Sequence, residues 1–377
     1  MRYDRFSNDL KHLAESANLR SFPSGKSDGL IDLTSNDYLG IAQRHELTEE
    51  FYSHYANGTL PPLTSSASRL LASCQHEFLA LEQSLGDIYH RQALLFNSGY
   101  HANTGIIQAI ADRRTMIIAD RLVHASIIDG IRLSGARFTR FPHNGFDKLE
   151  RLVADVPDDM ETILVIAESV YSMDGDRSDI NRLIDIRKRY PRVMLYVDEA
   201  HGFGVEGPQG LGLVAASECP EEVDIVIGTL GKAAASSGAF AITGDIMKRY
   251  LINHARSLIF STAIPPVSIA WSRFIIKKML HMDPERATLR RHAVKLSEAI
   301  SSATGKDGIV SHIQPLIIGN AAATLDLSAK LRNDEIKVLP IRTPTVPPGT
   351  ERLRFSLSAA LTDSDIDKTV NAIKQLR

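Results

Sequence analysis

Two short apolar runs in this 377-residue chain end in residues that can do chemistry. Val193-Met-Leu-Tyr-Val197 leads into Asp198-Glu-Ala-His201-Gly, and Asp224-Ile-Val-Ile-Gly leads into Thr229-Leu-Gly-Lys232. The first supplies a carboxylate and an imidazole. The second supplies a hydroxyl and a primary amine, flanked by small residues such as Gly231 and Ala233. Taken singly, each has an ordinary reading: a surface lysine, a helix-capping aspartate, a turn histidine. One chemistry uses them together. An amine condenses with an aldehyde, and an acid holds a proton on a pyridine nitrogen so that the ring takes up carbanion electrons. Hydroxyls and backbone amides grip a phosphate. The set therefore predicts pyridoxal 5'-phosphate on Lys232, with Asp198 at the ring nitrogen and His201 near the ring hydroxyl.

Other segments fit the same site. Ser98-Gly99-Tyr100 precedes a helical pattern over 103–111, and a helix start with glycine offers free amides to a phosphate, besides being an ordinary capped start. Tyr100, or His124 in Asp120-Arg-Leu-Val-His-Ala-Ser126, can stack on the ring. Ser172, in Val170-Tyr-Ser-Met-Asp-Gly-Asp176, can reach the ring oxygen. Along 352–358, strict alternation puts Leu353, Phe355 and Leu357 on one face and Arg352, Arg354, Ser356 and Ser358 on the other. That is either a half-exposed strand or a strand that points Arg354 at an amino-acid carboxylate. Three look-alikes fail in context. Gly202-Phe-Gly-Val-Glu-Gly207 resembles a dinucleotide loop, yet Pro208, Gly210 and Gly212 leave no room for the helix it needs. Gly25-Lys-Ser-Asp-Gly29 precedes a strand instead of following one. His76-Glu77 lacks the second histidine of a zinc helix, and no metal site is expected.

The elements that must hold these residues follow from the apolar pattern. Strand-like runs at 93–96, 116–119, 163–167, 193–197, 225–227 and 239–242 alternate with helical segments. This rhythm predicts an α/β fold, a mainly parallel sheet flanked by helices, with ligands bound where strands end. An amphipathic helix is expected within residues 1–20, a polar turn at 23–29 and a strand at 30–33. Pro265-Pro266 marks a joint, beyond which the pattern reads as a smaller α+β domain. The expected organisation is an arm (1–45), a large cofactor-binding domain (46–265) and a small C-terminal domain (266–377). With 44% hydrophobic and 23% charged residues, the composition is that of a globular protein. A net charge of −2 argues against nucleic acid as the partner. No run is long enough to span a bilayer and no signal-peptide core is evident, so the cytoplasm is expected. Two cysteines give no disulfide framework.

Together these segments resemble the α-oxoamine synthases, pyridoxal-phosphate enzymes of fold type I. Ser35-Asn-Asp-Tyr-Leu-Gly40, Ser261-Thr-Ala-Ile-Pro265 and the stretch Ile341-Arg-Thr-Pro-Thr-Val-Pro-Pro-Gly349 extend the likeness over nearly the whole chain. The resemblance implies that Lys232 carries the cofactor, that Asp198 pairs with its ring nitrogen and that His124 stacks on the ring. It places Ser172 and His201 at the ring oxygen, Thr229 at the phosphate and Gly99-Tyr100 along the cofactor. Arg20 and Thr345 would meet the acyl substrate, and Arg354 the amino-acid carboxylate. It further implies a homodimer with a shared site. The reaction implied is decarboxylative condensation of L-alanine with a pimeloyl group carried on coenzyme A or on an acyl carrier protein. Other members act on glycine and short acyl groups, and aminotransferases share the fold. Two stretches depart from the family. Thr64-Ser-Ser-Ala-Ser-Arg69 replaces a glycine-rich segment, and Ala233-Ala-Ala-Ser-Ser237 replaces a Gly-Phe-Gly-like one. Added Cβ atoms there restrict positive φ angles, so local backbone differences are expected.

Overall fold

The computed structural model describes residues 2–22 and 29–375. The expected turn at 23–29 and the look-alike Gly25–Gly29 fall largely outside them. The strands are β1 (Ile31–Leu33), β2 (Gln92–Phe96), β3 (Thr115–Asp120), β4 (Arg137–Phe141), β5 (Thr162–Glu168), β6 (Val193–Asp198), β7 (Ile225–Thr229), β8 (Ala239–Thr243), β9 (Ile313–Ile317), β10 (Ile336–Ile341) and β11 (Arg352–Ser356). By internal contacts they fall into two units. No described helix is long and apolar enough to cross a membrane.

The larger unit takes Leu39–Tyr171 and Arg177–Asp283. Its seven-stranded sheet has the order β2-β8-β7-β6-β5-β3-β4. Neighbours are parallel from β7 to β4, whereas β8 runs antiparallel to both β7 and β2. The central strands are apolar throughout because helices cover both faces. Ile163 to Ala167 and Ile225 to Ile227 are all buried. The helix Gly99–Ile110 lays Ala102, Ile106 and Ile107 into this core, beside Tyr196, Ile227 and Ala239. The sequence reading passes over β4. Its Arg137-Phe-Thr-Arg-Phe is mostly exposed, as an edge strand tolerates, and carries no apolar run.

The second unit takes the chain up to Tyr38, the segment Ser172–Asp176 and the chain from Pro284 onward. Its sheet has the order β1-β10-β11-β9, with β1 parallel to β10 and the other pairs antiparallel. The division therefore falls at Asp283/Pro284, not at the proline pair. Pro266 instead occupies the first position of the helix Pro266–Met279, where its missing N–H costs nothing, and that helix belongs to the larger unit. The chain up to Tyr38 joins the C-terminal residues because β1 finds its partner there.

Candidate active site

In the larger unit the ends of β5, β6 and β7 and two helix starts surround a cavity of about 170 Å³. Gly99, Tyr100, His124, Asp198, His201, Thr229 and Lys232 line it, with Asn103, Ser126, Glu168 and Ala200. Seven residues singled out from sequence thus meet in one place. Lys232 Nζ lies 2.8 Å from His201 Nε2. Asp198 ends β6 and is buried. Its Oδ2 accepts from Asn103 Nδ2 at 2.8 Å and its Oδ1 from the Ala200 amide at 2.8 Å. Two donors thus converge on this buried carboxyl group.

His124 caps the helix Ala125–Ser134. Its Nδ1 lies 2.7 Å from Ser126 Oγ and accepts from the Ser126 amide. Burial pulls the imidazole below its ordinary pKa, which favours a neutral ring, with Lys232 acting in the same direction and Asp198 against it. Ser98 caps the helix Gly99–Ile110 and takes the His101 amide. The Gly99 and Tyr100 amides are left at the helix start, and a Cβ built on Gly99 meets nothing within 4 Å. That open turn is a cradle for an anion. Tyr100 donates to Asp129 Oδ2 at 2.5 Å. Thr229 Oγ1 donates to the Gly238 carbonyl and accepts from the Gly231 amide, both at 3.3 Å, which anchors the turn that carries Lys232.

Sequence reasoning missed Asn103. Its amide donates to Asp198 and Ser126, and its Oδ1 accepts from Tyr196 at 2.6 Å. A polar residue in a helical pattern reads as a solvent position. The signal that could have found it is its place one turn after Gly99, on the side that also carries Ile106 and Ile107.

The remaining candidates belong to the second unit. On β11 the whole arginine face is buried, not half exposed: Arg352 is 4% and Arg354 3% accessible. Arg352 is matched within the protein, with Nη1 2.5 Å from Asp174 Oδ1. Arg354 donates from Nε to the Ser172 carbonyl at 2.6 Å and from Nη2 to Asn36 Oδ1 at 3.3 Å. No described carboxylate pairs with it. Gly175 has φ +76°, and a Cβ there would meet the Ile313 carbonyl oxygen at 1.9 Å. Only glycine lets the Ser172–Asp176 segment lie so close to β9. Arg20 Nη2 donates to Thr345 Oγ1 at 2.9 Å, so these two candidates touch each other.

The two departing stretches keep left-handed backbone despite their side chains. Ser66 has φ +48° and Ala235 φ +43°. The Ala235 amide donates to the Lys232 carbonyl at 2.8 Å, and Trp271 Nε1 donates to the Ala235 carbonyl at 3.1 Å. The dinucleotide look-alike also finds its explanation. Glycines 202 and 212 close around the buried Glu199, where a Cβ would come within 2.0 and 2.6 Å of the carboxyl group.

Residues 28–373 match the model of the aminotransferase class I and II family. The 8-amino-7-oxononanoate synthase of Haemophilus ducreyi is 40% identical over 380 residues, covering 96% of this chain and 98% of its own. This chain belongs to that family. Among solved structures, the 8-amino-7-oxononanoate synthase of Francisella tularensis matches with a TM-score of 0.77 and 28% identity, over 93% of this chain and 98% of its own. The Sphingomonas wittichii serine palmitoyltransferase matches with a TM-score of 0.88 and 26% identity, over 99% and 96%. Membership in the 8-amino-7-oxononanoate synthases makes the chain a pyridoxal-phosphate-dependent acyltransferase. The cavity fits that cofactor: an amine at Lys232, an acid with two donors at Asp198 and an open helix start at Gly99.

Proposed function

We propose that this chain condenses L-alanine with a pimeloyl thioester, releasing CO2 and a free thiol to give 8-amino-7-oxononanoate. The observation that carries the reading is Lys232 Nζ at 2.8 Å from His201 Nε2, in a cavity that Asp198 also lines. Bound pyridoxal phosphate supplies an electron sink for the pair left at the amino-acid Cα when its proton departs.

The residues divide the remaining work. Lys232 would hold the cofactor through its amine until the amino group of alanine takes its place, and the freed amine would then remove the Cα proton as general base. Asp198 would pair with the pyridine nitrogen, oriented for that task by the Asn103 and Ala200 donors. His124 would lie against the ring, and His201 and Ser172 would hold the ring oxygen. Thr229 and the amides of Gly99 and Tyr100 hold the phosphate. Arg354 takes the alanine carboxylate, a role supported by its burial without an internal carboxylate. Arg20 and Thr345 meet the pimeloyl group. Cα attacks the thioester carbonyl and the C–S bond breaks, so the thiolate leaves and takes a proton from solvent. The carboxylate then leaves as CO2, and Lys232 returns a proton to Cα.

The working form in this reading is a homodimer that shares its sites. Sedimentation at micromolar concentration tests it, and a monomer would refute it. The reaction is tested by thiol release with pyridoxal phosphate present. L-alanine with pimeloyl-CoA is expected to react and glycine with acetyl-CoA is not. Pimeloyl-acyl carrier protein as the sole substrate would keep the chemistry and reassign the carrier. Release with glycine and acetyl-CoA alone would overturn the substrate assignment.

A further inference from the structure

The mechanism leaves one buried ionisable group of the cavity unused. Glu168 ends β5, lies directly across from Asp198 of β6 in register, and is 3% accessible. Its Oε1 accepts from the backbone amide of His124 at 2.5 Å. No described group hydrogen-bonds its second oxygen, and the residue lines the cavity. Two carboxyl groups at the ends of adjacent strands do not share a dry site as two anions. Asp198 has two donors, a side-chain amide and a backbone amide, and Glu168 has one. The proton therefore belongs on Glu168.

We propose that Glu168 is a positioning residue of the cofactor pocket, a neutral carboxylic acid that fixes His124 through its backbone amide and leaves the negative charge to Asp198. It thereby sets the entry of the helix Ala125–Ser134 and the ring that caps it. The charged and titratable groups around it are Asp198, Asp120, Lys232, His124 and Tyr171. Burial pushes the Glu168 carboxyl well above its ordinary range, Asp198 adds to that, and Lys232 opposes it.

The proposal rests on the reading that this cavity takes pyridoxal phosphate, and the test separates the two. Apoprotein is titrated with pyridoxal phosphate and binding is followed by quenching of Trp271 fluorescence or by dialysis. Wild-type protein that takes up none would overturn the cofactor reading itself. Glu168→Gln keeps an acceptor for the His124 amide without a charge, so its affinity is expected within about threefold of wild type. Glu168→Ala leaves that amide unpaired and is expected to weaken binding about tenfold or more. Loss in the Gln variant equal to that in the Ala variant would overturn the proposal, because an anion would then be what the site needs. An Ala variant that binds as wild type would overturn it as well. Infrared difference spectra at pH 7 give a readout independent of folding losses. Glu199 contributes a protonated-carboxyl band to both proteins, so a further band in the wild-type minus Glu168→Gln difference is expected, and its absence from that difference refutes a neutral Glu168.

Discussion

The molecule buries charge in two places and treats it differently. In the Lys232 cavity, cation and anion are both supplied by the protein, Lys232 beside His201 and Asp198 beneath two donors. On β11, Arg352 has Asp174, while Arg354, equally buried, meets the Ser172 carbonyl, the Asn36 amide oxygen and the Tyr38 hydroxyl, with no described carboxylate. A buried guanidinium held by neutral groups alone is poised for an anion from outside. The first region is built to run chemistry on whatever it holds. The second, in the function proposed above, is completed by the substrate carboxylate.

The sharpest way to break this comparison is at the lysine. Lys232→Ala is expected to lower thiol release by at least about 10⁴-fold, since it removes both attachment and general base. Residual activity within tenfold of wild type would end its assignment. Next come the two arginines. Arg354→Ala is expected to raise the KM for alanine by roughly 100-fold, the effect of removing one partner of a desolvated charge pair. Arg352→Ala is expected to lower thermal stability and change that KM by less than about threefold. Equal KM effects would erase the distinction drawn between them.

A smaller effect comes from Glu199, which the cavity does not use. Its Oε1 accepts from the Val214 amide at 2.6 Å and its Oε2 from the Ser169 hydroxyl. Burial pushes this carboxyl from 4.5 up to about 7. Because the folded value lies above the unfolded one, its contribution to stability is present below pH 4.5 and lost as pH rises through 7. Glu199→Gln should therefore gain on wild type as pH rises from 5 to 8, by on the order of 2–3 kcal/mol in urea unfolding. A pH-independent difference would show that the group ionises normally. The smallest effects belong to the strained loops. Ala235→Gly and Ser66→Gly are each expected to stabilise by about 1 kcal/mol, by relieving left-handed backbone at a residue with a Cβ. Destabilisation at either position would mean that the side chain contributes more than its backbone strain costs.

The legibility of the sequence followed the same divide. Asp198 and Lys232 could be read because each ends an apolar run, and such runs in a parallel sheet lead to ligand sites. Arg354 was visible as a candidate from alternation alone. Its burial was not, since the Ser35–Tyr38 and Ser172–Asp176 segments that lie against β11 come from far away in the chain. Asn103 was missed because a polar side chain reads as a solvent position even where it shares a helix face with Ile106 and Ile107. Glu168 could be seen as a strand end, but its neighbour across the sheet, Asp198, is set by strand order, which local pattern does not encode. The edge strand β4 escaped because exposed strands need no apolar run.

The discontinuity of the second unit has a consequence for synthesis on the ribosome. All seven strands of the large sheet have been made once Thr243 is added, but β1 pairs in parallel with β10, which begins only at Ile336. Translation of the roughly 90 residues between takes on the order of 5–20 s. During that interval the nascent chain holds a finished large sheet and an orphan strand near its start, and this is the stage at which a chaperone or a stalled message would find it open.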